Sequence, residues 1–378
     1  PATLAALAPA GPTHYLNAHP TRPGGREARS AILPAAAKLT RCADNHRTGS
    51  WLMHASLRVL LKEAIDYAGL FPPAGLELGP AIANYLAYRA QPDAWMLSRF
   101  ICPAARLAEL AERLAAMDPR PRTVPVSAVA RGGASGDELL RNLRQDLADV
   151  AACQERTGAL GRVDCFELRL CPATGGDYRT LIGELDAAFT GAAITDGARV
   201  FFELPLAPSW RDDLAALTDG LQALRAARAA APPRARLALP GVKLRCGGLT
   251  AAAFPSAEQV AGVIHACQAA EAPLKFTAGL HHPLRHIDAG LQAPVHGFIN
   301  VFMAGVLAYA LHLEPADVQA VVEEQDARQF HFHDEGASWN DAFATASEIA
   351  VARRDCVISF GSCSFDEPRA DLRRMRWM

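Results

Sequence analysis

The chain has 378 residues, half of them hydrophobic, and its formal net charge is −2. A nearly neutral chain offers no electrostatic basis for binding nucleic acid or an anionic membrane, so we exclude both as partners. No uncharged apolar run reaches the ~18 residues of a membrane-spanning helix, and the sequence therefore predicts no membrane segment.

The cysteine pattern predicts a cytoplasmic protein with free thiols. The chain contains nine cysteines, an odd number, and neither C-x-x-C nor zinc-finger spacing occurs among them. Several lie within apolar runs, where cysteine usually acts as a small core residue. Free thiols, together with the lack of a secretory signal pattern, favour the cytosol.

Residues 1–52 differ in composition from the rest of the chain. They are rich in Pro, Ala, Arg and Gly and show no sustained apolar period. We predict a disordered extension there, followed by a single domain over 53–378. A transit peptide is the alternative, because the segment contains arginine and few acidic residues.

Strand-like and helical runs alternate along the remaining chain. Residues 53–95 form a predicted helical prelude that covers one end of the domain. The strand-like runs that follow are LSRFICPA (97–104), RTVPVSAVARGG (122–133), RVDCFELRLC (162–171), ARVFFELPLAP (198–208), ALPGVKLRCGG (238–248), PLKFTAGLHH (273–282), GFINVF (297–302, a weak signal) and CVISFGSC (356–363). Amphipathic helical runs separate most of them, and this order is typical of a parallel sheet.

The number of these units predicts an α/β fold of the TIM-like (β/α)₈ barrel class over residues 96–370. Eight strand–helix units suit a closed barrel better than an open, doubly wound sheet. No glycine-rich phosphate loop follows the first run, which disfavours a nucleotide-binding fold. FHFHDEGASW (330–339) alternates around a turn and predicts a small inserted hairpin.

Charged residues fall on one face of four consecutive strands. Strands covered by helices turn their apolar residues outward, so the opposite face points into the barrel. That face carries Glu167, Arg169, Glu203, Lys243, Arg245 and Lys275. Unpaired charge would cost several kcal/mol per ion there, so we expect a paired network. The network is either structural or part of an active site near the strand ends.

The segments around the strand ends supply further candidate residues. His281, His282 and Arg285 follow the lysine strand, and Thr277 ends it. Candidates for binding substrate also come from the last two predicted strands and from the prelude, and they are Asn300, Ser362, Ser364 and Asp66.

The first interpretation of these residues is lysine-assisted chemistry on a small anionic carbonyl compound, without a cofactor. Lys275 or Lys243 would be an amine nucleophile with a lowered pKa, and Glu167 or Glu203 would transfer protons. His281 or His282 would act as acid or base, while Arg169, Arg245 and Arg285 would bind a carboxylate or phosphate. LKFTAG (274–279) resembles the lysine strand of class I aldolases of the deoxyribose-phosphate type. The resemblance implies a Schiff-base role for Lys275, on the sixth strand of the barrel.

Two other interpretations stay open. In one, Glu167 and Glu203 bind Mg²⁺ or Mn²⁺ with help from His281 or His282, and the lysines act as bases of a lyase or isomerase. Four cations beside two carboxylates disfavour a further positive charge and favour an anionic substrate. In the other, the barrel only binds an anionic metabolite. The basic C-terminal end, RADLRRMRWM, is a solvated tail or a homo-oligomer contact.

Overall fold

The computed structural model describes residues 53–119, 121–158, 160–171, 178–192, 197–230 and 238–378. The extension predicted over residues 1–52 lies outside the described residues, so its disorder stays a prediction. The described residues all belong to one structural unit of the chain.

Eight parallel strands close into a barrel, which confirms the predicted fold class. In chain order the strands of the described residues are β1 (Ile65–Tyr67), β2 (Leu97–Pro103), β3 (Val124–Val129), β4 (Gly161–Arg169), β5 (Arg199–Glu203), β6 (Gly241–Arg245), β7 (Leu274–Thr277), β8 (His286–Asp288), β9 (Ala293–Val295), β10 (Phe330–Phe332), β11 (Gly336–Trp339), β12 (Ala342–Thr345) and β13 (Val357–Ser362). The order around the barrel is β1-β13-β7-β6-β5-β4-β3-β2.

Helices follow most of the barrel strands and cover their outer faces. The helices of the described residues are α1 (Ala55–Leu61), α2 (Leu78–Arg89), α3 (Leu107–Ala116), α4 (Gly136–Thr157), α5 (Tyr178–Gly191), α6 (Trp210–Ala230), α7 (Ala257–Ala269), α8 (Phe298–Leu311), α9 (Pro315–Glu323), α10 (Ala346–Asp355) and α11 (Asp366–Arg374). None of them combines the length and the apolar character that crossing a membrane requires.

The main core lies between the strands and the helices, as the outward apolar face predicts. Phe166 and Leu168 of β4 are fully buried, and the Phe166 ring lies 5.1 Å from the Phe189 ring of α5. A separate, smaller apolar cluster of Cys165, Phe201 and Ile358 fills the inside of the barrel. The interior therefore has an apolar layer in addition to its charged residues.

Two strand assignments differ from the sequence prediction. The segment GFINVF is not a strand, because it begins α8, a 14-residue helix whose residues from Phe298 to Ala308 are all buried. An apolar run of this length folds as a helix that is buried on all sides. The missing strand is β1, only three residues long and buried throughout. The barrel thus begins at Ile65 rather than at residue 96, within the predicted helical prelude.

Small antiparallel sheets occupy two insertions. The hairpin predicted over 330–339 is present as β10 and β11, and β12 extends it to three strands. A second hairpin, β8 with β9, was not predicted and follows the loop that carries His281 and His282. It lies at the end of the barrel where the loops after the strands meet.

Gly241 occupies a position at the start of β6 that has no room for a side chain. A Cβ atom there would lie 2.2 Å from the Pro273 carbonyl oxygen, which accepts a hydrogen bond from the Val242 amide. We expect Gly241→Ala to lower the free energy of unfolding by about 1–3 kcal/mol, the usual cost of overpacking. Urea titration of the unmodified chain and of the variant measures this loss.

Gly183, in the exposed part of α5, provides the matched control, since nothing lies within 4 Å of a Cβ atom there. Gly183→Ala should leave stability unchanged or raise it by up to about 1 kcal/mol, because alanine favours a helix over glycine. Equal effects of the two substitutions would contradict the close approach at Gly241.

Candidate functional site

The interior of the barrel contains a chain of alternating charges. Lys275 Nζ lies 2.5 Å from Asp66 Oδ2 and 2.7 Å from Glu167 Oε1. The other carboxylate oxygen of Glu167 lies 2.7 Å from Lys243 Nζ, which is also 2.8 Å from Glu203 Oε2. These five side chains come from β1, β4, β5, β6 and β7, so most of the contacts cross the interior between strands that are not neighbours.

Hydroxyl groups and an arginine complete this chain. The Ser127 hydroxyl donates to Glu167 Oε1 at 2.7 Å, and the Ser359 hydroxyl donates to Asp66 Oδ2 at 2.7 Å. The Arg99 amide donates to Asp66 Oδ1 at 2.9 Å, and its guanidinium contacts Asp164 at 2.5 Å. Asp66 and Glu167 therefore receive several hydrogen bonds each, which is what burial of an ionised group requires.

Four of these residues were not predicted from the sequence. Ser127 could have been found from the sequence, because the alternation of side chains along β3 places it on the face that points into the barrel. Arg99 and Asp164 lie where the strand register shifts, in the pairs β1–β2 and β3–β4, and a similar shift precedes Ser359 in β13. At such bulges an extra residue interrupts the alternation and re-aims a side chain.

The chain of contacts contains four carboxylates and three cations, so the predicted count of four cations against two carboxylates was wrong.

The contacts set the protonation of the network. Burial alone would raise the pKa of Glu167, but the ammonium groups of Lys243 and Lys275 outweigh it and lower that pKa. Burial alone would lower the pKa of Lys275, but Asp66 and Glu167 outweigh it and raise that pKa. The pKa of Lys243 is raised in the same way by Glu167 and Glu203. The expected lowering of the lysine pKa values was therefore wrong for both lysines.

A pocket of about 980 Å³ opens at the end of the barrel where the strands terminate. Eight of the predicted residues line it: Glu167, Arg169, Glu203, Lys243, Arg245, Thr277, His281 and His282. Asp66 and Lys275 are completely buried and do not line it. The charge network thus has an inner part, closed to solvent, and an outer part, around Lys243 and Glu203, that faces the pocket.

Two arginines at the pocket are exposed and have no ion-pair partner within the described residues. They are Arg169, which ends β4, and Arg245, which ends β6. The predicted network of six paired charges is therefore smaller, since these two stay outside it. Arg131 also lines the pocket, but Asp146 and Asp149 neutralise its guanidinium. Arg169 and Arg245 are therefore the two pocket arginines whose charge no carboxylate of the described residues neutralises, and they can pair with an anionic ligand.

The histidines of the loop after β7 also line the pocket. His281 Nδ1 lies 2.9 Å from Glu367 Oε2, and His282 Nδ1 lies 2.5 Å from Asp371 Oδ2, both carboxylates belonging to α11. Cys363 Sγ lies 3.9 Å from His281 Nε2. The carboxylate contacts orient both rings. Glu367 lines the pocket as well and was not predicted, because its role depends on the packing of α11 against this loop.

Besides Asp66, four predicted binding residues do not line the pocket. The backbone amide of Arg285 donates a hydrogen bond to Asn300 Oδ1 at 2.8 Å. The side-chain amide of Asn300 donates to the backbone carbonyl groups of Val321 and Glu324. The Ser362 hydroxyl donates to the Ser364 carbonyl at 2.7 Å. The Ser364 hydroxyl accepts a hydrogen bond from the backbone amide of Glu367 at the start of α11. The Asn300, Ser362 and Ser364 side chains thus bond to backbone groups, and the Arg285 guanidinium lies 3.1 Å from His296 Nδ1. The predicted contact of these four residues with substrate has no support in their positions.

The carboxylates that could bind a metal ion are already bonded to a lysine. The Lys243 ammonium lies between Glu167 and Glu203, in contact with both. Over the part of the chain that the structure describes, no three His, Cys, Asp or Glu side chains are grouped as metal ligands. A divalent cation would have to displace this ammonium.

The fold and the site together define a class: a TIM-like (β/α)₈ barrel with an ion-lined pocket at the C-terminal ends of its strands. No protein-family model matches the chain, and no curated protein matches it. The aldolase resemblance also loses its positional basis. With β1 included, Lys275 lies on the seventh barrel strand in chain order, and Lys243 lies on the sixth.

Removal of the inner cation should destabilise the fold strongly. Lys275→Met would leave the carboxylates of Asp66 and Glu167 buried without their shared partner, and we expect a loss of about 3–5 kcal/mol in the free energy of unfolding. Arg156→Met, which removes an exposed pair with Glu112, should cost no more than about 1 kcal/mol. Urea unfolding of both variants checks this, and equal losses would contradict a buried network.

The network also predicts how stability depends on pH. The lowered pKa of Glu167 gives stability that is complete above about pH 4–5 and is lost as the pH falls through the folded-state pKa. The raised pKa values of Lys243 and Lys275 give stability that is complete below about pH 10 and is lost above it. Urea midpoints between about pH 3 and 7 should fall less steeply for Glu167→Gln than for the unmodified chain. Parallel curves would refute the assignment.

Proposed function

We propose that the protein is an enzyme that acts on a small anionic carbonyl compound by lysine-assisted chemistry of the lyase or aldolase type. The observation that carries the proposal is the position of Lys243. Its ammonium lies at the pocket between two carboxylates, and two arginines without ion-pair partners among the described residues line the same pocket. A cation next to a base and an anion-binding group is the arrangement that enolate chemistry needs.

Lys243, rather than Lys275, is the lysine assigned to the substrate. Both lysines contact two carboxylates, but Lys275 is completely buried, whereas Lys243 is 6% exposed and lines the pocket. Because its pKa is raised, Lys243 is an ammonium at neutral pH. Its proposed role is to donate a hydrogen bond to the carbonyl oxygen and to stabilise the negative charge that develops there. It does not attack the carbonyl as an amine.

Glu203 is the proposed base. It lines the pocket, and its carboxylate is bonded to Lys243 alone among the described residues, whereas Glu167 is held by two lysines and Ser127. In the cleavage of a β-hydroxy carbonyl compound, Glu203 would take the hydroxyl proton, the carbon–carbon bond would break, and an aldehyde would leave. The electron pair of that bond forms an enolate whose oxygen Lys243 stabilises, and Glu203 then returns the proton to the enolate carbon.

The remaining predicted residues have roles around this centre. Arg169 and Arg245 would bind the carboxylate or phosphate of the substrate, since a guanidinium binds either group through two parallel hydrogen bonds. His281 and His282, oriented by α11, would exchange protons with those substrate groups that reach the loop after β7. Thr277, at the end of β7, would donate a hydrogen bond from its hydroxyl.

Exchange of the α-proton tests the proposal without knowledge of the natural substrate. In D₂O, the protein should accelerate the loss of the α-proton NMR signals of pyruvate or a related 2-oxo acid. Lys243→Met should reduce kcat for exchange by ~10²–10³-fold, which is typical for loss of a group that stabilises an oxyanion. Lys62→Met, at the end of α1 on the exposed surface, is the matched control and should exchange at the original rate.

Chelation, borohydride labelling and binding measurements separate the alternatives. Chelation with EDTA should leave the rate unchanged, and loss of exchange that Mg²⁺ or Mn²⁺ restores would support the metal-dependent interpretation instead. Borohydride with pyruvate at neutral pH should not label the protein, whereas a label on Lys243 would replace the ammonium role with an imine. Tight binding of the acids without any exchange would contradict catalysis and support a binding protein.

A further inference from the structure

The wall of the pocket is divided into a charged arc and an apolar arc. Around the barrel, β4, β5 and β6 are consecutive neighbours and contribute the charged arc, which consists of Glu167, Arg169, Glu203, Lys243 and Arg245. The loop after β1 and the strands β2 and β3 contribute the apolar arc, which consists of Phe71, Pro72, Pro73, Ile101 and Val129. Arg131, which follows β3, also lines this side of the pocket, with its guanidinium neutralised by Asp146 and Asp149.

The Ile101 side chain extends the apolar arc toward β13. Ile101 of β2 reaches past β1 toward β13, where a Cβ atom on Gly361 would lie 3.1 Å from its Cδ1 atom. Gly361 therefore leaves this wall open to the Ile101 side chain. At the rim, Leu249 and Leu291 also line the pocket, and Leu249 is 67% exposed. Leu249 lies in the loop after β6, beside the charged arc, and burial of its side chain under the apolar part of a ligand would be favourable.

The size of the pocket exceeds the needs of a minimal substrate. A 2-oxo acid of about six heavy atoms occupies on the order of 200 Å³, taking the volume of a liquid water molecule, about 30 Å³, for each heavy atom. The pocket measures about 980 Å³, which lies at the upper end of the range for drug-sized ligands. A minimal acid held by the charged arc would leave the apolar arc in contact with water.

We propose that the substrate is an amphipathic acid. Its anionic group and carbonyl lie against the charged arc, and an aliphatic or aromatic body of several carbon atoms lies against the apolar arc. This inference rests on the proposed function for the position of the anionic end. It adds the class of substrate: a carbonyl acid with a sizeable apolar group, bound by burial of that group as well as by charge.

A ladder of acids with equal charge and growing apolar length tests the inference. Calorimetric titration with pyruvate, 2-oxobutyrate, 2-oxohexanoate and phenylpyruvate should give a Kd that falls about fourfold for each methylene group added. Phe71→Ser should weaken the binding of the two largest acids about tenfold and leave pyruvate unchanged. Phe343→Ser is the matched control, because Phe343 is an exposed phenylalanine of β12 outside the pocket.

The outcomes distinguish this inference from the proposed function. A Kd that stays constant along the ladder, with α-proton exchange intact, would overturn the amphipathic substrate and leave the proposed function standing. Equal weakening of all four acids by Phe71→Ser would also overturn it. If none of the acids binds or exchanges, the proposed function fails first. Because the ladder is measured on the unmodified protein, the test does not depend on the variant folding.

Discussion

Neutralisation of buried charge is the constraint on which this barrel depends. The ammonium of Lys275 is completely buried, and such an ion is stable only when carboxylates contact it directly. Asp66 on β1 and Glu167 on β4 supply them, from strands that are not neighbours of β7. The inner charges therefore fix the positions of three separated strands relative to one another. Ser127 and Ser359 complete the hydrogen bonds, so each carboxylate has one protonation state at neutral pH.

The same chain of charges connects the interior to the pocket. Glu167 is bonded to both lysines, and through it the inner cation at Lys275 affects the outer one at Lys243. A lysine placed between two carboxylates stays protonated, which favours a hydrogen-bond donor over a nucleophile. This consequence of the geometry changes the chemistry that the residue types alone indicate.

The division of the pocket wall comes from the closure of the barrel. Closure places β4, β5 and β6 side by side on one arc, and their inward residues carry the charge. It places the loop after β1 and the strands β2 and β3 on another arc, where Phe71, Pro72, Pro73, Ile101 and Val129 line the pocket. A ligand that fills the pocket therefore meets charge on one side and hydrocarbon on the other. The histidines of the loop after β7, which α11 orients, close the third side.

Local patterns in the chain were enough to predict the class of the fold, seven of its eight barrel strands and the interior position of its main charges. Alternation along a strand and repeated strand–helix order are both visible without any long-range contact. One strand was misplaced, since three residues at Ile65–Tyr67 are too few to show a period and the apolar run at α8 resembles a strand over its first residues.

The pairing of the charges depended on the folded arrangement instead. Bulges redirect Arg99 and Asp164, and each buried pair joins residues that are far apart in sequence. The rise of both lysine pKa values has the same origin, since a pKa shift depends on distances between side chains and not on their order in the chain.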